Sequence, residues 1–485
     1  MESVDLTLSH WVFILVIVAI FASIGFRKGI IIPSIIGTVI LGLLSDNSGD
    51  GFINTIVYAV QVLFRALLNA GTSLFDIMLV IALMVAMLRS LQSQGADKMM
   101  IAPMKKLMVG PWTAFFVLGV TMYIAAAFFW PTPAVALVGT VLIPVAMQVG
   151  LPAIAAAVSV NLFGHGMALA ADPVIQGANR LTAGAAGIDV NSLLPYTMMF
   201  SLIVGFVSIA LAMYTIRRDM KSGKIKAPEG DEVFSNTQAV ESKIGAFTQD
   251  NEPTPFARWF AIGVPVVLLA IVGLMIYRAI FDPSQAIRGG GATALLGGAA
   301  TVILVLSSFA KDGTKALDGI SEHTKDGFFF AIKIFAPIIP IAGFFFLGHP
   351  GHAASVLGDG TPGFLFDIGN NIGQYIDGNV VLLAFGIAII GLISGMDGSG
   401  FSGLPLVGSL SAALGAAASV DPAVLAGLGQ VAAIFAGGGT LAAWAFGVAA
   451  DAGIAGVSPQ QLVRRNFVPV MTGVFVACVV AIMIM

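Results

Sequence analysis

The stretch that decides the fold is PAVALVGT at residues 133–140, which matches SGLPLVGS at residues 402–409 after a displacement of 269 positions. Two more short matches follow in the same order, LPAI with DPAV after 270 positions and AGID with AGVS after 269. Ordered matches at nearly one displacement indicate an internal repeat. The sequence therefore predicts a chain built from two related halves.

The composition places these halves in a membrane. Of 485 residues, 58% are hydrophobic and only 10% are charged, whereas a soluble globular chain carries about 25% charged residues. This excludes a soluble multi-domain enzyme. The net charge of −3 argues against nucleic acid as a partner. Cys478 is the only cysteine, so the chain has no internal disulfide and no site built from several cysteines.

The apolar segments predict an all-α polytopic membrane protein, whose surroundings are the lipid bilayer. A bilayer core requires about 20 apolar residues per helix. Segments near that length are 10–26, 29–45, 73–93, 112–128, 131–149, 151–172, 193–216, 258–281, 290–309, 325–348, 378–396, 401–418, 421–450 and 465–485. Residues 52–70 are interrupted by Asn54, Gln61 and Arg65, and are predicted to form an amphipathic helix along the interface.

Charges at the segment ends predict the orientation. Glu2 and Asp5 precede the first apolar segment and Arg27 and Lys28 follow it, which is the reverse of a signal peptide. We therefore expect a first membrane helix with its N-terminus outside. The polar stretch 217–257 begins with five basic residues within ten positions. By the positive-inside rule it is a cytoplasmic linker.

The two halves are expected to have opposite orientations. Residues 1–216 and 258–485 each hold seven apolar segments, an odd number, so the second half enters the membrane upside down. Residues 94–111 are then inside and 349–377 outside. The predicted parts are scaffold regions 1–93 and 258–348, and core regions 112–192 and 378–451. Inverted repeats are typical of secondary transporters, which open a central site to either side.

Each core region contains two interruptions. A pair of apolar segments is joined by Trp130–Pro133 in one half and by Asp397–Gly403 in the other. The helix that follows is interrupted at Gly164–Gly166 and at Gly437–Thr440. Such backbone at membrane depth must line a cavity or be buried in protein. Its free N–H groups attract anions and its carbonyls coordinate Na⁺.

Polar residues near these interruptions form the predicted site. Asn161, His165 and Asp172 share one face of an apolar helix, and Asp397 is an intramembrane carboxylate, which is costly unless it binds an ion or a proton. The predicted substrate-binding residues are Thr132, Asn161, His165, Ser399, Ser402 and Thr440. The predicted ion-coupling residues are Asp397 and Asp172, with Na⁺ placed near Asp397 and Gly438.

Other ionisable residues are given smaller roles. Asp451 is expected near the cytoplasmic end of its helix and is left out of the site. Arg180 is the one arginine near a repeated core that could clamp a carboxylate, while Asp76 and Lys333 are interpreted as structural partners. All six glutamates fall in loops or the N-terminal tail, so proton coupling would require Asp or His.

This arrangement of inverted halves, each with a hairpin followed by an interrupted helix, resembles the ion transporter superfamily of bacterial secondary carriers. That superfamily includes gluconate, lactate, C4-dicarboxylate and citrate permeases. The resemblance implies a location in the bacterial inner membrane and a homodimeric scaffold. It also implies a transport domain that moves like an elevator with substrate at the hairpin tips. The tips here read WPTP at 130–133 and SGFS at 399–402, where such carriers often have Ser-Asn-Thr.

Four functions are compatible with the sequence. The first is symport of a small organic anion, a carboxylate or sugar acid, coupled to Na⁺ or H⁺ and needing no other cofactor. The second is a cation/proton antiporter without an organic substrate. The third is a channel or an accessory membrane subunit. The fourth is an intramembrane enzyme, which is disfavoured because the Gly-Leu-Gly-Asp, Gly-x-Ser-x-Gly and His-Glu-x-x-His motifs are missing.

Overall fold

The regular structure is entirely helical over the residues that the structure describes. A computed structural model describes residues 6–26, 28–49, 51–225, 252–282, 290–368, 379–396, 398–443 and 445–485, together with residues 285, 287 and 371. In this part of the chain, nine helices are long and apolar enough to cross a membrane, or ten if one bent pair counts as a span. The prediction of an all-α polytopic membrane protein is therefore confirmed.

Ten α-helices lie within the described residues of the first half. They are α1 Leu8–Gly25, α2 Ile31–Leu43, α3 Phe52–Ser93, α4 Ala96–Ile101, α5 Pro111–Phe129, α6 Pro131–Gln148, α7 Ala153–Val160, α8 Leu169–Ala171, α9 Gly177–Ala186 and α10 Val190–Lys221. A π-helical segment, Asn161–Ala168, joins α7 to α8. We call this segment π1. The predicted helix 151–172 is thus continuous through Gly164 and Gly166, but widened there rather than broken.

The second half also contains ten α-helices within the described residues. They are α11 Ala257–Phe281, α12 Gly290–Asp312, α13 Ala316–Phe335, α14 Ile338–Phe346, α15 Pro350–Leu357, α16 Val380–Gly395, α17 Leu404–Ala418, α18 Pro422–Ile434, α19 Phe446–Ala455 and α20 Pro459–Ile484. A second π-helical segment, Phe435–Thr440, follows α18. We call this segment π2.

One order of elements occurs in both halves: a helical hairpin, a helix with a π-helical segment, a short helix and a long helix. The helices α18, α19 and α20 each begin 269 residues after α7, α9 and α10. The displacement found in the sequence is therefore also the displacement of the helices. The opposite orientation of the two halves in a membrane stays a prediction.

The contacts between the halves are also reciprocal. The second hairpin helix of each half packs on the short helix of the other, α6 on α19 and α17 on α9. Glycines 269 residues apart allow both close approaches. A methyl group on Gly139 would lie 2.6 Å from Ile454 Cγ2, and one on Gly408 would overlap the carbonyl oxygen of Thr182. Exchanging the two halves thus reproduces this pair of helix contacts.

The helix α3 shows that the predicted division of residues 52–93 is wrong. Residues 52–70 and 73–93 are not an interfacial helix and a separate span, because α3 runs through both without a break. Its polar residues are compatible with a helix, and Gly71 lowers helix stability by only about 1 kcal/mol relative to alanine. This long helix packs against α2, α12, α13 and α14, so it joins both predicted scaffold regions.

Two other boundaries also differ from the sequence interpretation. The segment 325–348 is divided at Pro337, whereas the division of 421–450 into α18, π2 and α19 agrees with the interruption predicted at Gly437–Thr440. Proline removes a backbone donor, and consecutive glycines have low helix propensity. The last helix begins at Pro459 rather than 465. Most of the predicted linker, 226–251, lies outside the described residues.

Candidate functional site

The two π-helical segments contact each other in the middle of the protein. The helices that carry them, Ala153–Ala171 and Pro422–Thr440, are the most buried of the candidate membrane spans. Glycines allow this contact, since a methyl group on Gly166 would lie 2.8 Å from the ring of Phe435. Within π2, Gly439 has φ +141°, which a side chain would strain. The sequence therefore brings two irregular backbone segments together where regular helices would not fit.

A buried polar network lies at this crossing and joins both halves. Asn161 Nδ2 donates to Asp451 Oδ2 at 2.7 Å, and His165 Nδ1 lies 2.9 Å from the same oxygen. Asn466 Nδ2 donates to Asn161 Oδ1 at 2.6 Å. All four side chains are 0% exposed. Buried polar groups of this kind are costly unless they bind one another or a ligand.

Backbone carbonyls of π2 face the same network. Asn161 Nδ2 donates to the carbonyl oxygen of Gly439, and Asn466 Nδ2 lies 3.4 Å from the carbonyl oxygen of Thr440. Gly447 in α19 leaves room for the imidazole, because a methyl group there would lie 2.6 Å from His165 Cδ2. The network is thus enclosed by π1, π2, α19 and α20.

The hairpin tips meet close to this network. The rings of Trp130 and Phe401 have centroids 5.3 Å apart, and both side chains are 1% exposed. Trp130 has φ +71°, which lets the chain turn between α5 and α6 within one residue. Thr132 Oγ1 lies 3.4 Å from His165 Nε2, so the first tip also contacts the network. These turns are buried in protein rather than exposed at a membrane surface.

The structure brings together several of the predicted substrate-binding residues. Thr132, Asn161 and His165 are linked by hydrogen bonds through the network, and Thr440 contributes its backbone carbonyl. Ser399 and Ser402 bond to each other at 2.9 Å in the second hairpin tip. Their predicted role in binding a substrate stays a prediction.

The two predicted ion-coupling residues have different positions. Asp397 lies outside the described residues. Asp172 does not continue the helix face of Asn161 and His165, because its φ of +38° ends the helix. Its carboxylate accepts from the backbone N–H groups of Gln176 and Ala178 at 2.9 and 2.8 Å. The carboxylate of Asp172 therefore stabilises the loop between α8 and α9.

Sequence reasoning missed Asp451 and Asn466. Asp451 was expected near the cytoplasmic end of its helix, directly after the predicted apolar segment 421–450. The interruption at π2 ends that span at Thr440, and a new helix, α19, then carries Asp451 into the network. The available signal was an aspartate within an apolar segment, the same signal that pointed to Asp397.

A second, uncharged polar cluster occupies the related position in the other half. Gln430 is displaced by 269 residues from Asn161, and Asn466 by 269 from Thr197. Gln430 Nε2 and Thr197 Oγ1 each donate to Asn179 Oδ1 at 2.9 Å. The repeat thus places two polar clusters symmetrically, and only the first contains a carboxylate and an imidazole in its hydrogen-bonded centre.

The arginine that could have clamped a carboxylate has another partner. Arg180 in α9 forms an ion pair with Asp76 in α3. The interpretation of Asp76 as a structural partner agrees with this contact. The pair joins the first core region to the scaffold helix.

Comparisons with known proteins agree with this architecture. The uncharacterized membrane protein YhfA of Bacillus subtilis (strain 168) is 36% identical over 483 residues, which covers 98% of each chain. The solved structure of MtrF from Neisseria gonorrhoeae, a protein of a class of antimetabolite efflux pumps, has a similar fold. It aligns with a TM-score of 0.54 and 12% identity over 93% of this chain and 94% of MtrF. No known protein-family profile matches the chain.

Proposed function

The chain belongs to the same family as the Bacillus subtilis membrane protein YhfA, and we propose that it is a secondary active transporter. It couples the movement of a small organic anion, a carboxylate or sugar acid, to that of a cation. The observation that carries this proposal is the crossing of π1 and π2, one from each half, around the buried network of Asn161, His165, Asp451 and Asn466. Irregular backbone from two repeats is how carriers build a site near the bilayer midplane.

The fold it shares with MtrF supports a transporter, since MtrF is described as an antimetabolite efflux pump. Antimetabolites are small organic molecules, which agrees with an organic substrate. The finer assignment to the ion transporter superfamily rests on the order of elements in each half, a hairpin followed by a helix with a π-helical segment. With that assignment we propose elevator-type movement, a homodimer and an inner-membrane location, while the positive-inside rule supports a cytoplasmic central linker.

In this mechanism, different residues bind the anion and the cation. Thr132, Ser399 and Ser402 at the hairpin tips, with the N–H groups of the interrupted segments, bind the anion. The carboxylate of Asp451, held by His165 and Asn161, attracts the cation. Binding both neutralises the loaded site, which lowers the cost of carrying it across the bilayer. Asp397 and Asp172 stay predicted coupling residues.

The test is uptake into proteoliposomes of the purified full chain. Labelled gluconate, lactate, succinate and citrate are offered under an imposed Na⁺ gradient, an imposed pH gradient, and neither. We expect at least one solute to accumulate saturably, only with a gradient, and to leave when an ionophore collapses it. Asp451→Asn should abolish accumulation, whereas Asp219→Asn, at the ion pair with Arg465, should retain it.

The alternative is a cation/proton antiporter, which the fully buried His165–Asp451 pair favours because such a pair can exchange a proton for a cation. A sodium-driven pH change in the same vesicles, with no organic solute present, would favour this alternative. Solute-dependent, gradient-driven accumulation would favour the symporter.

A further inference from the structure

Two acceptor oxygens in the polar network lack a donor from the part of the chain that the structure describes. Among the described residues, neither Asp451 Oδ1 nor Asn466 Oδ1 accepts a hydrogen bond, although both side chains are fully buried. An unsatisfied buried polar atom costs about 1–3 kcal/mol, and more when it is charged. Two such acceptors on side chains that both contact Asn161 indicate that something electropositive binds there.

The charges around Asp451 also indicate that something electropositive binds there. Its Oδ2 accepts from the amide of Asn161 and faces the imidazole of His165, while Oδ1 has no hydrogen-bond partner within the described part of the chain. The nearest basic residue in sequence to Asn466 is Arg465, which instead binds Asp219 at 2.5 Å. A buried carboxylate is normally paired with a cation or coordinates one.

The backbone supplies further oxygens of the same kind. The carbonyls of Gly439 and Thr440 each accept from a side chain of the network, and each carbonyl oxygen has a second lone pair. With Asp451 Oδ1 and Asn466 Oδ1, they are a set of four oxygens from π2, α19 and α20 that belong to residues joined by the side chains of Asn161 and Asn466. Carboxylate and carbonyl oxygens select hard cations, whereas thiolates and imidazoles suit transition metals.

We infer that this set binds one Na⁺ ion between Asp451, Asn466 and the carbonyls of Gly439 and Thr440. The inference rests on the proposed function, because it names the coupling ion and the residues that hold it. A single carboxylate matches a single positive charge, while Ca²⁺ sites commonly recruit several carboxylates. Na⁺ bound there would link π2 to α19 and α20, and would satisfy both unpaired acceptors.

The test is binding to the purified full chain, which requires no transport. Thermal unfolding in detergent is followed while Na⁺ replaces K⁺ or choline at constant ionic strength and pH, and ²²Na⁺ binding is measured in parallel. Na⁺ should raise the unfolding temperature saturably, because a ligand of the folded state stabilises it by mass action. K⁺ and choline should not.

Three variants locate the ion. Asp451→Asn keeps the size of the side chain and should eliminate the Na⁺-dependent shift. Asn466→Thr introduces the residue found at the related position, Thr197, and should weaken Na⁺ binding by about tenfold or more. Asp219→Asn removes a carboxylate outside the network and should leave the shift unchanged. If Asp451→Asn does not fold, Asn466→Thr and the cation series on the unmodified chain still test whether Na⁺ binds at this site.

The inference is overturned if the unmodified chain shows no Na⁺-specific shift, or if Asp451→Asn retains it. A stabilisation that follows pH instead of Na⁺ would assign a proton to Asp451 and also overturn it. Na⁺ binding without transport of any tested solute would leave the site intact and count against the proposed function alone.

Discussion

At the scale of single residues, His165 connects the parts of the site. Its Nδ1 faces Asp451 of the second half, and its Nε2 faces Thr132 of the first hairpin tip. If Nδ1 carries the proton and donates to Asp451, Nε2 can accept from the hydroxyl of Thr132. One imidazole thereby fixes the position of a hairpin tip relative to the buried carboxylate.

We predict that His165→Leu destabilises the protein by about 3 kcal/mol or more, because it leaves a buried carboxylate without one of its donors. His165→Gln, which retains an N–H donor, should be clearly less destabilising. Thermal unfolding in the same detergent measures which of the two variants is more stable. Equal stability of the two would mean that the bond to Asp451 does not hold the structure together.

At the scale of elements, sequence reasoning succeeded where the signal was local. Apolar length predicted most helices, and the repeated motifs predicted two hairpins and the positions of both π-helical segments, although only the second of these helices is interrupted. Sequence reasoning failed where the course of the chain depended on contacts with other helices. Polar residues suggested a break near Gly71, but packing against α12 and α13 keeps α3 continuous. Asp451 could not be placed until π2 was seen to redirect the chain.

The reciprocal helix contacts give a prediction at this scale. Gly408→Ala should be more destabilising than Gly139→Ala, because its methyl group meets the backbone oxygen of Thr182, which cannot rotate away. The methyl of Gly139→Ala meets the side chain of Ile454, which can adjust. Overpacking of this kind costs about 1–3 kcal/mol.

Gly184 in α9 supplies the matched control for these two variants. A methyl group there meets no atom within 4 Å, so Gly184→Ala should be neutral or slightly stabilising through helix propensity. Thermal unfolding of the three alanine variants gives the ranking. A larger effect of Gly139→Ala than of Gly408→Ala would contradict the reciprocal packing described for α6, α17 and their partners.

At the scale of the whole molecule, the two halves share one order of elements and reciprocal contacts. Symmetry of contacts alone does not establish how each half crosses the bilayer. The odd number of spans per half predicts opposite orientations, and alternating access depends on them, because two inverted halves can exchange conformations and open one site to either side.

Cysteine labelling measures this orientation directly. Cys478 is the only native cysteine and is buried, so Cys478→Ser provides a background without other thiols. Into it, Lys105→Cys and Asp359→Cys are introduced singly, at exposed positions in 94–111 and 349–377. An impermeant maleimide should label Asp359→Cys on intact cells and Lys105→Cys only after permeabilisation. Labelling of both from the same side would mean that the halves are parallel, and the exchange of conformations on which the transport proposal depends would be lost.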